Sequence, residues 1–79
     1  MNKQRRKDLQ DIVGALQEQY ERLSDLGDAE QEAYDNMPES LQGSDKGQET
    51  AQNADIMLRA AQELEDMISD LQDTADGLS

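Results

Sequence analysis

The sequence contains no cysteine, histidine, phenylalanine or tryptophan, and only one proline among its 79 residues. Without cysteine there is no disulfide and no thiol nucleophile, and without histidine the commonest general base and a common metal ligand are missing. Serine and threonine occur, but no neighbouring group is suited to activate them as nucleophiles. We therefore expect a protein that is not an enzyme and that uses no cofactor.

Positive charge is also scarce, because 7 lysines and arginines stand against 19 aspartates and glutamates, for a net charge of −12. A chain this acidic repels nucleic acid and anionic membranes and is attracted to basic protein surfaces. Four of the cations lie in the segment 3–7, which we expect to be a frayed, solvated end. The longest apolar run, 12–16, is too short to cross a bilayer, and the basic start lacks the apolar stretch of a signal peptide. We expect a cytoplasmic protein.

The first half of the chain carries a heptad pattern. Apolar side chains recur at alternating steps of four and three from Leu9 to Leu23, which predicts a helix over about 7–36. Gly27 and Glu30 then occupy positions where apolar residues belong, so we expect a kink or loosened packing near Gly27.

The second half carries a longer and unbroken heptad pattern. It predicts a helix over about 45–76, with Ser44 as its N-cap and Gly77 at its C-terminal cap. The apolar positions of this pattern are Ala54, Met57, Ala61, Leu64, Ile68, Leu71, Ala75 and Leu78.

The break between the two helices is marked by Pro38, Gly43 and Gly47, which predict a loop over 37–44 with Leu41 packed against the helix ends. Two long helices joined by a short loop favour an all-α fold, an antiparallel coiled-coil hairpin. Such a hairpin leaves its apolar seams partly exposed to solvent. We therefore expect a homodimer that forms a four-helix bundle, and the pattern does not specify the orientation of the two copies. An alternative is that the seams form a groove for a partner helix. The predicted core and oligomer seam consists of Leu9, Val13, Leu16, Tyr20, Leu23, Met57, Leu64, Ile68 and Leu71.

Carboxylates also recur at helical spacing, which makes two acidic ladders. The first predicted helix carries Glu18, Glu21, Asp25, Asp28, Glu32 and Asp35, and the second carries Glu63, Asp66, Asp70 and Asp73. Carboxylates in such rows can keep a small protein soluble, or they can imitate the phosphates of nucleic acid. Asp70, Asp73 and Asp76 lack the alternating spacing of a calcium loop, so we predict no metal site.

The stretch Glu32 to Gln42, together with the basic opening Arg5-Arg6-Lys7, resembles a group of small acidic phage and prophage proteins of uncharacterised function. These typically share an aromatic–Asp–Asn–Leu/Met–Pro–Glu–Ser–Leu–Gln stretch between two heptad-rich helices. The resemblance implies a phage-associated protein that acts in the cytoplasm of a bacterial host, where small acidic phage proteins often antagonise nucleic-acid-handling or defence machinery. It carries over no binding residue.

Two functions follow from these patterns. The first is a non-enzymatic module whose acidic helix faces bind a basic surface of a host protein in the manner of a DNA mimic. The second is a structural or assembly module, in which the seams carry the function and the acidity only confers solubility.

Overall fold

The chain folds into two long helices that pack against each other. The computed structural model describes residues 1–77, which contain three helices and no strand: α1 (Lys3–Asp35), the short α2 (Glu39–Gln42) and α3 (Asp45–Ala75). The packing of α1 against α3 makes a rod with extents of 58 × 17 × 13 Å. The predicted all-α hairpin is therefore confirmed, while the seam position Leu78 lies outside the described residues. No helix within residues 1–77 is both long and apolar enough to cross a membrane.

The basic start of the chain is helical. Helix α1 begins at Lys3, four residues before the expected start, because the Asn2 side chain accepts a 2.8 Å hydrogen bond from the Arg5 N–H. The prediction of a frayed end is therefore wrong for residues 3–7. The Arg6 guanidinium also approaches the far end of α3, where it lies 3.3 Å from the position of a Cβ built on Gly77. A cation at this end interacts favourably with the dipole of α3.

The caps of α3 follow the sequence pattern. At its start, Ser44 accepts a 3.2 Å hydrogen bond from the Gly47 N–H. At its end, Gly77 has a φ of 78°, in the left-handed region that glycine adopts without steric cost. Both predicted caps are therefore confirmed.

The corner between the long helices differs from the prediction at two residues. Leu41 is 52% exposed and does not pack against the helix ends; its carbonyl accepts a 3.1 Å hydrogen bond from the Ser44 N–H instead. Gly47, expected to break the chain, is a buried residue of the first turn of α3. A Cβ at this position would lie 2.3 Å from the Leu41 oxygen and 2.6 Å from the Gln42 oxygen. The missing side chain lets the α2 turn pack directly on α3.

Contacts between the helices define an antiparallel register. The Leu58 side chain would lie 2.7 Å from a Cβ on Gly27, and the Tyr20 hydroxyl lies near the Glu65 carboxylate. Residue numbers therefore rise along α1 as they fall along α3. This register sets Leu9 level with Ala75, Val13 with Leu71, Leu16 with Ile68, Tyr20 with Leu64, Leu23 with Ala61, Gly27 with Met57, and Glu30 with Ala54.

The core is thin and depends on small side chains. Val13, Ile68 and three alanines of α3 are buried, and the other predicted seam residues are half-buried. Helix α1 continues without interruption through Gly27, because the Leu58 side chain fills the space above this residue. The expected loosened packing at Gly27 is therefore wrong: the glycine is buried in a close contact. The buried alanines are Ala54, Ala61 and Ala75.

Candidate partner-binding surface

The acidic positions of α1 form one row along its outer side, which we call the α1 ladder. All six residues are exposed, and the row spans about 26 Å at 1.5 Å per residue. With the seam at heptad positions a and d, the ladder occupies positions b and f, on the side turned away from α3. The α1 ladder consists of Glu18, Glu21, Asp25, Asp28, Glu32 and Asp35.

Little in the structure neutralises the α1 ladder. Among residues 1–77 the ion pairs are Lys7–Asp11 at 3.6 Å and Arg59–Asp55 at 2.6 Å, and neither involves a ladder residue. Asp35 accepts a 3.0 Å hydrogen bond from the neutral amide of Gln31. The row therefore presents its carboxylates to solvent without ion-pair partners.

The acidic positions of α3 form a second row, the α3 ladder, on the opposite edge of the hairpin. Its four members are exposed and occupy heptad positions c and f. In an antiparallel pair, the same heptad letters of both helices lie on the same flank. Since b and c lie on opposite sides of f, the two ladders lean toward opposite edges. The α3 ladder consists of Glu63, Asp66, Asp70 and Asp73.

The two ladders are also staggered along the rod. In the observed register, the α1 ladder covers the half nearer the α2 corner, whereas the α3 ladder lies level with residues 11–21 of α1, nearer the open end. The sequence could not show this, because it places each row on its own helix without relating the two. A single hairpin therefore does not unite the ladders into one acidic face.

The charge spacing of each ladder can be compared with that of DNA. Consecutive ladder carboxylates are separated by about 5 Å along the helix axis, at 1.5 Å per residue, whereas one DNA strand carries a phosphate per ~3.4 Å of axis. The density of one ladder is thus about two-thirds of that of a single strand. The geometry matches a single row of phosphates rather than a duplex.

Keeping six like charges in one row has an energetic cost. Each pair of carboxylates spaced three or four residues apart opposes helix formation by roughly 0.2–0.5 kcal/mol. The α1 ladder contains five such neighbouring pairs, so it costs roughly 1–2.5 kcal/mol. Arg22 is the one cation between Asp8 and Asp45, and it donates a 3.4 Å hydrogen bond to Gln19 rather than pairing with an acid. The distribution of charge on α1 is therefore not the one that favours helix stability most.

One acidic residue outside the ladders interacts across the helix pair. Hydrogen bonding to the Glu65 carboxylate, together with partial burial, raises the pKa of the Tyr20 hydroxyl above its ordinary value of 10.0. A tyrosine with a higher pKa in the folded chain stabilises the fold below the unfolded-state pKa and loses this contribution as pH rises through the folded-state pKa.

We therefore expect Tyr20→Phe to reduce the loss of stability between about pH 8 and about pH 11. The measurement is the urea midpoint at both pH values for the wild type and the variant. Tyr34→Phe is the matched control and should behave as the wild type. Equal pH dependence in the wild type and Tyr20→Phe would show that the Tyr20–Glu65 contact does not couple ionisation to folding.

Two further features of the described residues bear on possible binding sites. No group of three or more carboxylates is arranged to hold a metal ion in the described part of the chain. The sequence pattern did not anticipate the buried Thr50, whose hydroxyl donates a 2.9 Å hydrogen bond to the Lys46 carbonyl and is satisfied there. Comparison with known protein families, with curated proteins and with solved structures finds no match for this chain.

Proposed function

We propose that this protein is a non-enzymatic binding module that presents the α1 ladder to a basic surface of another protein. The observation that carries the proposal is the row of six exposed carboxylates without ion-pair partners on one uninterrupted helix. Such a row steers association with a basic groove, at rates that fall as salt rises. A groove built to hold one nucleic-acid strand offers complementary charge at comparable intervals.

The energetic cost of the ladder supports binding over solubility alone. The same number of acids dispersed over other faces, or mixed with lysines, would confer comparable solubility without the repulsion between neighbours. The resemblance of Glu32 to Gln42 to small phage proteins suggests the setting. In that setting the partner is a nucleic-acid-handling or defence protein of a bacterial host.

The test compares two variants that each neutralise three carboxylates. The first changes the α1 ladder by Asp25→Asn, Asp28→Asn and Glu32→Gln, and it should be slightly more stable than the wild type because like-charge repulsion is relieved. If circular dichroism shows that this variant is as helical as the wild type, loss of binding does not arise from unfolding. The control variant neutralises exposed acids outside both ladders and carries Asp8→Asn, Glu49→Gln and Asp76→Asn.

Immobilised protein is exposed to bacterial lysate at low and at moderate salt, and retained proteins are challenged with single-stranded DNA. We expect a retained protein that DNA displaces, that the control variant still binds, and that the α1 ladder variant binds at least tenfold more weakly. An equal loss of binding with the α1 ladder variant and with the control variant would indicate nonspecific attraction to the net charge of the protein. Retention that is indifferent to both variants and to salt would contradict the proposal.

An assembly function is the second candidate, and a specific observation favours it. Ile12, Leu26 and Met67 are each more than half exposed, although apolar side chains are scarce in this chain. An assembly module tolerates the α1 ladder variant and fails when these exposed apolar residues are replaced. The same lysate experiment with Leu26→Glu separates the two functions.

A further inference from the structure

Helix α1 carries a second seam of exposed residues, most of them apolar, that the core does not use. From Ile12 onward, the residues of this seam follow one another at alternating steps of three and four and occupy heptad positions g and c. All of its residues are exposed, and none is acidic. The seam consists of Ile12, Ala15, Gln19, Arg22, Leu26, Ala29 and Ala33.

Helix α3 contributes a matching surface on the same flank. Ile56, Ala60, Glu63 and Met67 also occupy positions c and g, and the g positions of antiparallel helices share one flank. A shallow depression there is lined by Ile56, Ala60 and Glu63 together with Arg59. The flank formed by the g positions of both helices therefore carries a largely apolar strip with a hollow midway along it.

The opposite flank has a different character. It holds a depression lined by residues of both helices, most of them polar: Gln10, Val13, Gly14, Gln17, Gln72, Ala75 and Asp76. The glutamines in this set occupy heptad position e in α1 and in α3. Residues at the same heptad position of the two helices therefore lie on the same flank. The apolar strip is thus confined to one side of the rod.

The solvent-exposed area of the hairpin exceeds that of a compact monomer by about the area that one interface buries. A compact folded monomer of this mass exposes about 4,800 Å², whereas this chain exposes 5820 Å². The excess of roughly 1,000 Å² per chain is comparable with the ~800 Å² that each partner buries in a standard interface. No large side chain is fully buried within the described residues, so the hairpin alone has little core.

We propose that the occupant of this flank is a second copy of the chain, related by a twofold axis parallel to the rod. A rotation about this axis does not change the position of any residue along the rod. Residues of α1 and α3 that lie at the same height within one hairpin therefore also lie at the same height when they belong to different copies. Helix α1 then packs against α3 of the second copy, and every neighbouring helix is antiparallel, as in a four-helix bundle.

The residues that become level in this arrangement are complementary. Leu26 lies within two residues of the height of Ala60, in the hollow of the second copy, and the small Ala29 lies within one residue of the height of the large Ile56. Arg22, the one cation of the α1 seam, lies level with Glu63. These two residues occupy the outer c positions, where ion pairs flank helix interfaces.

The same arrangement would bring the ladders together. The α1 ladder of one copy and the α3 ladder of the other would share one side of the bundle and, being staggered, would follow each other along its length. This consequence rests on the proposed function, whereas the dimer itself does not and is tested with purified protein alone.

The first test is the molar mass in solution by sedimentation, at micromolar concentrations and physiological salt. We expect a wild-type dimer, a monomer for Leu26→Glu, and a dimer for the matched control Leu41→Glu, which alters an equally exposed leucine outside the flank. Circular dichroism checks that all three are helical. A monomeric wild type, or equal loss with both leucine variants, would overturn the proposal.

The second test fixes the orientation of the axis. Arg22→Glu and Glu63→Arg should each weaken the dimer about tenfold, because each substitution replaces an attractive pair by a repulsive one and the twofold axis makes this pair occur twice in the interface. The double variant should recover at least most of the wild-type affinity. A double variant no tighter than the single variants would exclude packing of α1 on α3 of the second copy, and with it this interface.

Discussion

Replacing Gly47 with alanine is expected to lower the free energy of unfolding by about 2 kcal/mol, or roughly 8–16 °C in Tm. The new Cβ would lie 2.3 Å from the carbonyl oxygen of Leu41 and 2.6 Å from that of Gln42. Both are backbone atoms of the α2 turn, so the steric clash can be relieved only if the whole corner between the long helices moves. This cost exceeds the ~1 kcal/mol by which alanine favours a helix over glycine.

Gly14→Ala is the matched control, because Gly14 lies within α1 and a Cβ there would meet nothing within 4 Å. This variant should gain up to about 1 kcal/mol in stability. Urea denaturation at one protein concentration measures both variants, since the proposed dimerisation would make apparent stability depend on concentration. If Gly47→Ala were as stable as Gly14→Ala, the direct packing of α2 on α3 would be refuted.

The second large effect is expected at Ile68, the bulkiest of the buried apolar residues, which is 5% exposed and level with Leu16. Ile68→Ala should cost about 3 kcal/mol, within the range of ~2–5 kcal/mol for removing a buried isoleucine side chain. Small domains have about 0.05–0.15 kcal/mol of stability per residue, so this loss removes a large share of the total. The fraction of helix, followed by circular dichroism during urea denaturation, measures the effect.

Leu41→Ala is the comparison for Ile68→Ala. Leu41 is 52% exposed, and its replacement should cost under about 1 kcal/mol. A larger cost at Leu41 than at Ile68 would mean that the corner leucine closes the end of the hairpin and that the inner face of α3 is loosely packed. The ratio of the two losses therefore tests where the core of this molecule lies.

Heptad spacing was sufficient to predict the two long helices and their inner faces. Leu9, Val13, Leu16 and Ile68 recur at the period of a coiled-coil seam, and this period depends only on local helix geometry. The caps at Ser44 and Gly77 were predictable for the same reason, since capping depends on the residues of a single turn. The exposure of both acidic ladders follows as well, because positions between seam residues face outward.

Three glycines show where local patterns fail and where they succeed. Gly47 was expected to break a helix and Gly27 to loosen one, yet both lie buried at close contacts. Glycine permits either outcome, and the choice depends on which atoms approach from another element. At Gly77 the prediction succeeded because a positive φ at a helix end is a local requirement.

The sequence by itself determined that this protein consists of two amphipathic helices with acidic outer rows, because helix periodicity assigns each residue to a face. Only the tertiary structure decided how those faces relate to each other. The register that sets Tyr20 beside Glu65 and Gly27 beside Leu58 staggers the two ladders along the rod, and the packing of the helices leaves Leu26 and Met67 exposed on one flank. That register arises from the fit of small against large side chains between distant segments, which no local pattern contains.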